Sequence, residues 1–139
     1  MNIVDTSGWL EYIGETDRAK FFIEPIESIS NLIVPSIILY ETFKKLILES
    51  DENKALISLA HMQQAKIIDI DSSIALYAAK LSIEYKLPMA DSLIYAIAKK
   101  YNAIIWTQDQ HFESLENVKY FPKNKNLASS VKCNGEPQR

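Results

Sequence analysis

The sequence predicts an α/β fold: a three-layer α/β/α sandwich around a central, mainly parallel sheet. Short, apolar, β-branched segments alternate with longer amphipathic ones along most of the chain, the pattern left by parallel strands joined by crossover helices. The 139 residues suit one domain, and a 47% hydrophobic fraction can fill its core, burying roughly two-thirds of the surface the unfolded chain would expose. The carboxylates Asp5, Glu41, Asp91 and Asp109 each fall where a strand gives way to a helix or inside the helix that follows. That is the end of an open sheet at which ligands bind.

Residues 2 to 5 read as a short buried strand, with Thr6-Ser7-Gly8 supplying the cap of a helix through Trp9, Leu10, Tyr12 and Ile13. A second helical stretch is expected over about residues 17 to 29, with Pro25 as a kink or boundary. Asn31 to Val34 is a strand, and Pro35-Ser36 opens a long helix to about Ser50. Leu39, Phe43, Leu46 and Ile47 form its main apolar stripe, while Ile37 and Leu48 lie on the opposite side near Glu41. A helix apolar on two faces is expected to be covered on both.

Residues 51 to 65 read as a further helix, 66 to 70 as a strand, and Asp71-Ser72-Ser73 as the cap of a helix with Ile74, Tyr77, Ala78, Leu81 and Tyr85 on its inner stripe. Leu87-Pro88 ends it. Met89 to Asn102 is helical, with Leu93, Ile94, Ile97 and Tyr101 on one face, Asp91 at its start beside Tyr95 and Ala98 on the rim, and Lys99-Lys100 at the end where cations suit the macrodipole. Ala103 to Thr107 is a β-branched strand, Gln108 to Leu115 a turn and short helix, and Val118 to Phe121 a last strand. The domain is thus expected over residues 1–122, followed by a polar basic tail, 123–139, poorly ordered from about residue 124.

The net charge is −3, yet Lys123, Lys125, Lys132 and Arg139 against Glu136 give the tail +3, which leaves −6 on the domain. An acidic body is ill suited to binding nucleic acid by broad phosphate neutralisation, but not to a nuclease whose acids are masked by cations. No apolar run approaches the roughly 18 residues of a membrane span, and the first residues lack a basic leader with an apolar stretch. A soluble, cytoplasmic protein with no membrane partner is expected, and a single cysteine, Cys133, permits no intrachain disulfide.

Carboxylates brought together repel by roughly 4 kcal/mol per close pair at an effective dielectric near 20. A cluster therefore calls for a cation, and an all-oxygen set suits Mg²⁺ or Mn²⁺ rather than zinc. Against this, an aspartate near a helix start also caps free N–H groups, and Glu41, near Lys44 and Lys45, also reads as a solvated surface residue. Other chemistries fit poorly. His61 and His111 with Cys133 cannot make a zinc finger, although His111 neighbours the expected site. There is no Gly-x-Ser-x-Gly elbow, and Gly8, Gly14 and Gly135 are too few for a phosphate-cradling loop.

Four segments, in order, carry a resemblance: Ile3-Val4-Asp5-Thr6-Ser7; Pro35 through Glu41; Leu87-Pro88-Met89-Ala90-Asp91 through Ala98; and Ile105-Trp106-Thr107-Gln108-Asp109-Gln110-His111-Phe112. Together they resemble PIN-domain nucleases, and in size and layout the toxins of VapBC-type toxin–antitoxin pairs. The resemblance implies a PIN-like fold and a metal-dependent endoribonuclease that hydrolyses RNA phosphodiester bonds. It implies Mg²⁺ or Mn²⁺ held by residues matching Asp5, Glu41, Asp91 and Asp109. Asp5 and Asp91 are then the most direct ligands, Asp109 binds a second metal or acts through water, and Glu41 is a ligand or positions the attacking water. Thr107, and more weakly Ser7, would support the site through their hydroxyls. The ion would activate water and stabilise the anionic transition state.

Lys44, Lys45, Lys99 and Lys100 are candidates for RNA contacts, although solvated helix faces explain such pairs as well. The resemblance also implies a cognate antitoxin protein, and with the two-faced helix of residues 36 to 50 it implies a homodimer. Gln108 and Gln110 depart from the family, which often carries a basic or acidic residue there; the substrate is what this leaves open. The alternatives are a PIN nuclease of RNA processing without an antitoxin, and a PIN-like binding module that has lost its chemistry. A phosphoacceptor receiver domain would want an acidic pair after the first strand and a lysine at a late strand end, where this chain has Thr6-Ser7 and Trp106-Thr107.

Overall fold

The computed structural model describes residues 1–123, so the segment from residue 124, expected to be poorly ordered, lies outside the described residues. Among these, the strands are β1 (Asn2–Val4), β2 (Ile33–Pro35), β3 (Lys66–Ile68), β4 (Ile104–Thr107) and β5 (Val118–Tyr120). All pairings are parallel: β1 with β4, β4 with β5, and β2 with β3. A parallel bridge between Asn2 and Leu32 joins the two pieces, giving the spatial order β3-β2-β1-β4-β5. The chain therefore runs outward from β1 to β3, then crosses back to β4 and β5. Between β1 and β4 the connections depart in opposite directions, and that is where a crevice opens in a doubly wound sheet.

Helices α1 (Thr6–Gly14), α2 (Ile23–Glu27), α3 (Ser36–Glu49), α4 (Glu52–Met62), α5 (Ser72–Tyr85) and α6 (Met89–Tyr101) complete the layers. Right-handed crossovers place α1 to α4 on one face and α5 with α6 on the other. The helix contacts agree, with α1 packed on α3, α3 on α4, and α5 on α6. Ile3, Val4, Ile33, Val34 and Ile105 fill the middle of the core. The expected three-layer α/β/α sandwich is the one found, with its described strands wholly parallel.

Several elements differ from the sequence reading. Residues 17 to 29 are not one helix: a 3₁₀ turn over Asp17–Phe21 precedes α2, and another, Ile29–Asn31, leads into β2. Pro25 does not bound α2 but sits third in it, where a backbone N–H would have no intrahelical partner. The inner face of α3 is Ile38, Thr42 and Leu46, rotated by about one residue from the expected stripe. Pro35 ends β2 and Ser36 begins α3 with no intervening residue, so the strand direction sets the helix phase. Leu39 and Phe43 are left half-covered, and together with Ile47 they line a shallow trough with Leu59 of α4.

On α5, Ile74, Ala78 and Leu81 are buried as expected, whereas Tyr77 and Tyr85 are only partly covered, at 38% and 36% exposure. Helix α6 lies between α5 and the sheet and is buried on several faces. Tyr95 and Ala98, expected on a rim, are therefore fully inside.

At the start of α1 the cap is Asp5 rather than the Thr6-Ser7-Gly8 run, its carboxylate accepting from the Gly8 amide. Gly8 is also where α1 touches β1. A Cβ there would lie 2.6 Å from Val4 Cγ1 and 2.7 Å from Phe22 Cδ1, so only glycine lets the helix leave the strand at this angle.

Candidate active site

The register of β1 and β4 builds the floor of the site. Val4 pairs with Trp106, and the Asp5 amide donates to the Trp106 carbonyl at 3.2 Å, so Asp5 comes opposite Thr107 as both strands end. The Thr107 hydroxyl donates to Asp5 Oδ2 at 2.6 Å. Asp5 Oδ1 accepts from Ser7 Oγ at 2.7 Å and from the Gly8 amide at 3.2 Å. Asp5 is 4% exposed. Burial pushes its carboxyl up to about 6, the hydrogen bonds from Thr107, Ser7 and Gly8 work against that rise, and the charge on Asp109 adds to it.

The Thr107 hydroxyl is also an acceptor, taking the Asp109 amide on Oγ1 at 2.9 Å. One buried hydroxyl thus fixes two acidic segments relative to each other. Asp109 Oδ1 accepts from the His111 amide at 2.9 Å and so caps the turn over Gln110–Phe112. Asp91, in the first turn of α6, caps nothing. Pro88 precedes the helix without a side-chain cap, and the Asp91 carboxylate faces Asp109 and His111 instead. Its Oδ2 lies 3.0 Å from His111 Nδ1, which is also 3.0 Å from Asp109 Oδ1. Burial first, and then the Asp109 charge, push Asp91 up to about 7; His111 pulls it down in part, and Asp5 adds to the rise. Glu41, from the middle of α3, accepts from Thr6 Oγ1 at 2.6 Å.

Asp5, Glu41, Asp91 and Asp109 all line one cleft of about 730 Å³. Asp91 and Asp109 of this cleft form a tight group with His111, which is not part of the cleft lining, each offering a ligand atom within 4.8 Å of the others. Asp5 stands behind them, with Oδ2 keeping a free lone pair beyond its single hydrogen bond. Burial holds the Asp5 and Asp91 carboxyls above their ordinary range, and the oxygen-rich donor set of the site fits a hard divalent cation. Asp5 and Asp109 each cap a backbone amide and still keep lone pairs free, so capping does not exclude a ligand role for either.

The PIN domain family matches residues 3–118 of this sequence. The chain belongs to the PIN domain family. No curated protein matches it at a significant level. Among solved structures it resembles a toxin–antitoxin complex from Klebsiella pneumoniae, with a TM-score of 0.70 and 20% identity over 86% of this chain and 96% of that one. It resembles VapC20 of Mycobacterium tuberculosis, described as a toxin that cleaves the sarcin–ricin loop, with a TM-score of 0.71 and 16% identity over 85% and 97%. A third likeness is VapBC2 of Rickettsia felis bound to a promoter DNA fragment, with a TM-score of 0.68 and 19% identity over 87% and 97%. At these identities the likeness is one of fold.

Around the acidic group of this PIN domain, Lys44 and Lys45 line the cleft, whereas Lys99 and Lys100 do not. They end α6, some eight residues beyond Asp91, or about 12 Å along the helix axis. Sequence reasoning missed the network on the other wall. Gln108, 6% exposed, donates to Glu11 Oε2 at 2.6 Å and accepts from Arg18 Nε. Arg18 also donates to the carbonyls of Phe121 and Pro122 at 2.9 and 3.1 Å. Glu11 was findable, four residues after Ser7 on the same helix face. Arg18 was not, because its partners are about 90 to 104 residues away.

Proposed function

We propose that this PIN domain is a metal-dependent endoribonuclease that hydrolyses RNA phosphodiester bonds and acts as the toxin of a toxin–antitoxin pair. The observation that carries the reading is the meeting of Asp5, Asp91 and Asp109 with Glu41 in one cleft beyond the carboxyl ends of β1 and β4. Mg²⁺ or Mn²⁺, when bound, supplies charge neutralisation at the scissile phosphate and activation of water. Asp91 and Asp109 hold the ion, with Asp5 and Glu41 as further ligands, direct or through water. Thr107 fixes Asp5 and the Asp109 backbone in one geometry, and Ser7 braces Asp5 from the other side. Glu41, on a separate helix and tethered by Thr6, is placed to orient the attacking water. Lys44 and Lys45 meet the RNA backbone at the cleft edge. No protein group needs to form a covalent intermediate.

The toxin reading draws support from neighbours described as toxin–antitoxin complexes and from apolar surface suited to protein partners. A groove of about 820 Å³ between α1 and α4, with Trp9, Tyr12, Ile13 and Ile57 in its lining, is available to an antitoxin. The α3 trough is available to a second copy. The test is RNA cleavage with Mg²⁺ or Mn²⁺ and with EDTA, on the wild type and on Asp91→Asn. Metal-dependent cleavage that the variant lacks is expected. Equal cleavage by both proteins, or cleavage that survives EDTA, would overturn the assignment.

A further inference from the structure

We infer that His111 is a direct ligand of the divalent ion, which makes the centre a mixed carboxylate–imidazole site that selects a first-row ion such as Mn²⁺ over Mg²⁺. The inference rests on the metal-site reading above and extends it to a residue outside the acidic set. Adjacent donors around an octahedral ion with ligands at about 2.1 Å are about 3.0 Å apart. His111 Nδ1 is 3.0 Å from Asp91 Oδ2 and 3.0 Å from Asp109 Oδ1, the spacing of neighbouring donors on one ion, and the ligand atoms of all three residues lie within 4.8 Å of one another.

The placement of this ring is built into the local structure. The His111 amide is tied to Asp109 Oδ1 at 2.9 Å, so the carboxylate that caps the turn also fixes the residue that supplies the imidazole. No other hydrogen bond holds the ring among the described residues, and its side chain is 52% exposed. When the ion binds, hydrogen stays on Nε2 and any proton on Nδ1 is released, so that the Nδ1 lone pair meets the ion beside the two carboxylates. Mg²⁺ prefers oxygen ligands and keeps its waters, whereas imidazole strengthens binding of first-row transition ions. A nitrogen in the set therefore shifts preference away from Mg²⁺.

The chain has only two histidines, which makes the test direct. His61 lines the separate groove between α1 and α4 and packs edge-on against Trp9 and Tyr12. Full-length protein without added histidines is loaded with Mn²⁺, bound ion is counted by continuous-wave electron paramagnetic resonance, and ¹⁴N coupling is read by spin-echo modulation. Imidazole coupling is expected in the wild type and in His61→Gln and absent in His111→Gln, whose Mn²⁺ affinity falls at least about tenfold. Bound Mn²⁺ without nitrogen coupling in the wild type, or coupling that persists in His111→Gln, would overturn the ligand assignment and leave the metal site standing. If the wild type binds no Mn²⁺ at millimolar concentration, the metal site fails and the inference fails with it.

Discussion

Asp91 makes no cap and faces another carboxylate, so its charge is a burden on the metal-free fold and an asset only with a cation present. Asp91→Asn should raise the melting temperature in EDTA while lowering metal-dependent cleavage by more than about a hundredfold. Calorimetry and cleavage on one preparation check both halves. The pH dependence has a definite sign. Asp5 and Asp91 are raised from an ordinary 3.8 to about 6 and about 7, so the folded chain binds their protons more readily than the unfolded chain does. Their penalty is absent below about pH 4 and grows until it is complete above about pH 7, so they lower metal-free stability as pH rises through that window. Thermal melts in EDTA should show a smaller decline in Asp91→Asn than in the wild type, and stabilisation by added Mn²⁺ should grow with pH. Thr107→Val removes the donor to Asp5 and the acceptor for the Asp109 amide; a loss of about 1–3 kcal/mol in stability is expected, together with weaker metal binding by calorimetry, and Thr107→Ser should restore most of both. Asp5 and Asp109 were legible from their places just past apolar strands and Glu41 from the helix that follows β2, whereas Asp91 lies in a helix that follows α5 rather than a strand, so only the resemblance of its segment pointed to it. The Gln108–Arg18–Glu11 network was not legible, since nothing local in the sequence ties Arg18 to residues at the far end of the domain.

At the scale of elements, the contact between α1 and β1 is the most demanding. Gly8→Ala places a methyl group against Val4 and Phe22, and the overpacking should cost about 1–3 kcal/mol. Because the Gly8 amide also holds Asp5, metal affinity should fall along with the denaturation midpoint, which urea unfolding and Mn²⁺ titration would show. A variant as stable and as tight as the wild type would mean that α1 can shift without cost. The apolar segments and their alternation were readable, since strands of three or four residues between helices still present β-branched runs. Finer features were not. The phase of α3 depends on a strand-to-helix junction with no loop, and the broken course of residues 17–31 depends on Phe22 and Ile26, both fully buried in the core. Tertiary packing overrides local periodicity at such places.

For the whole molecule, exposed apolar side chains argue for association. Leu48, Ile57, Leu76 and Ile83 are 73%, 73%, 70% and 82% exposed but lie on three helices, so the contiguous surface that favours a dimer is the α3 trough, where Leu39, Phe43, Ile47 and Leu48 meet Leu59. Sedimentation equilibrium should give a mass that rises with concentration toward twice 15.9 kDa, whereas a constant monomer mass would exclude the homodimer. The parallel, doubly wound plan was legible from the strand–helix alternation, but the strand order was not, because nothing local tells β4 to return beside β1. That return also fixes when the cleft can first exist. β1 is flanked by β2 and β4, both made after it, and the Asp5–Thr107 hydrogen bond spans 102 residues. At about 5–20 residues per second of synthesis, Asp5 waits about 5 to 20 s for Thr107. A nascent chain, or one cut short by a premature stop before β4, carries the first acidic residue but no cleft. Such a chain should be inert toward RNA, because the cleft exists only once β4 has been made and has paired with β1.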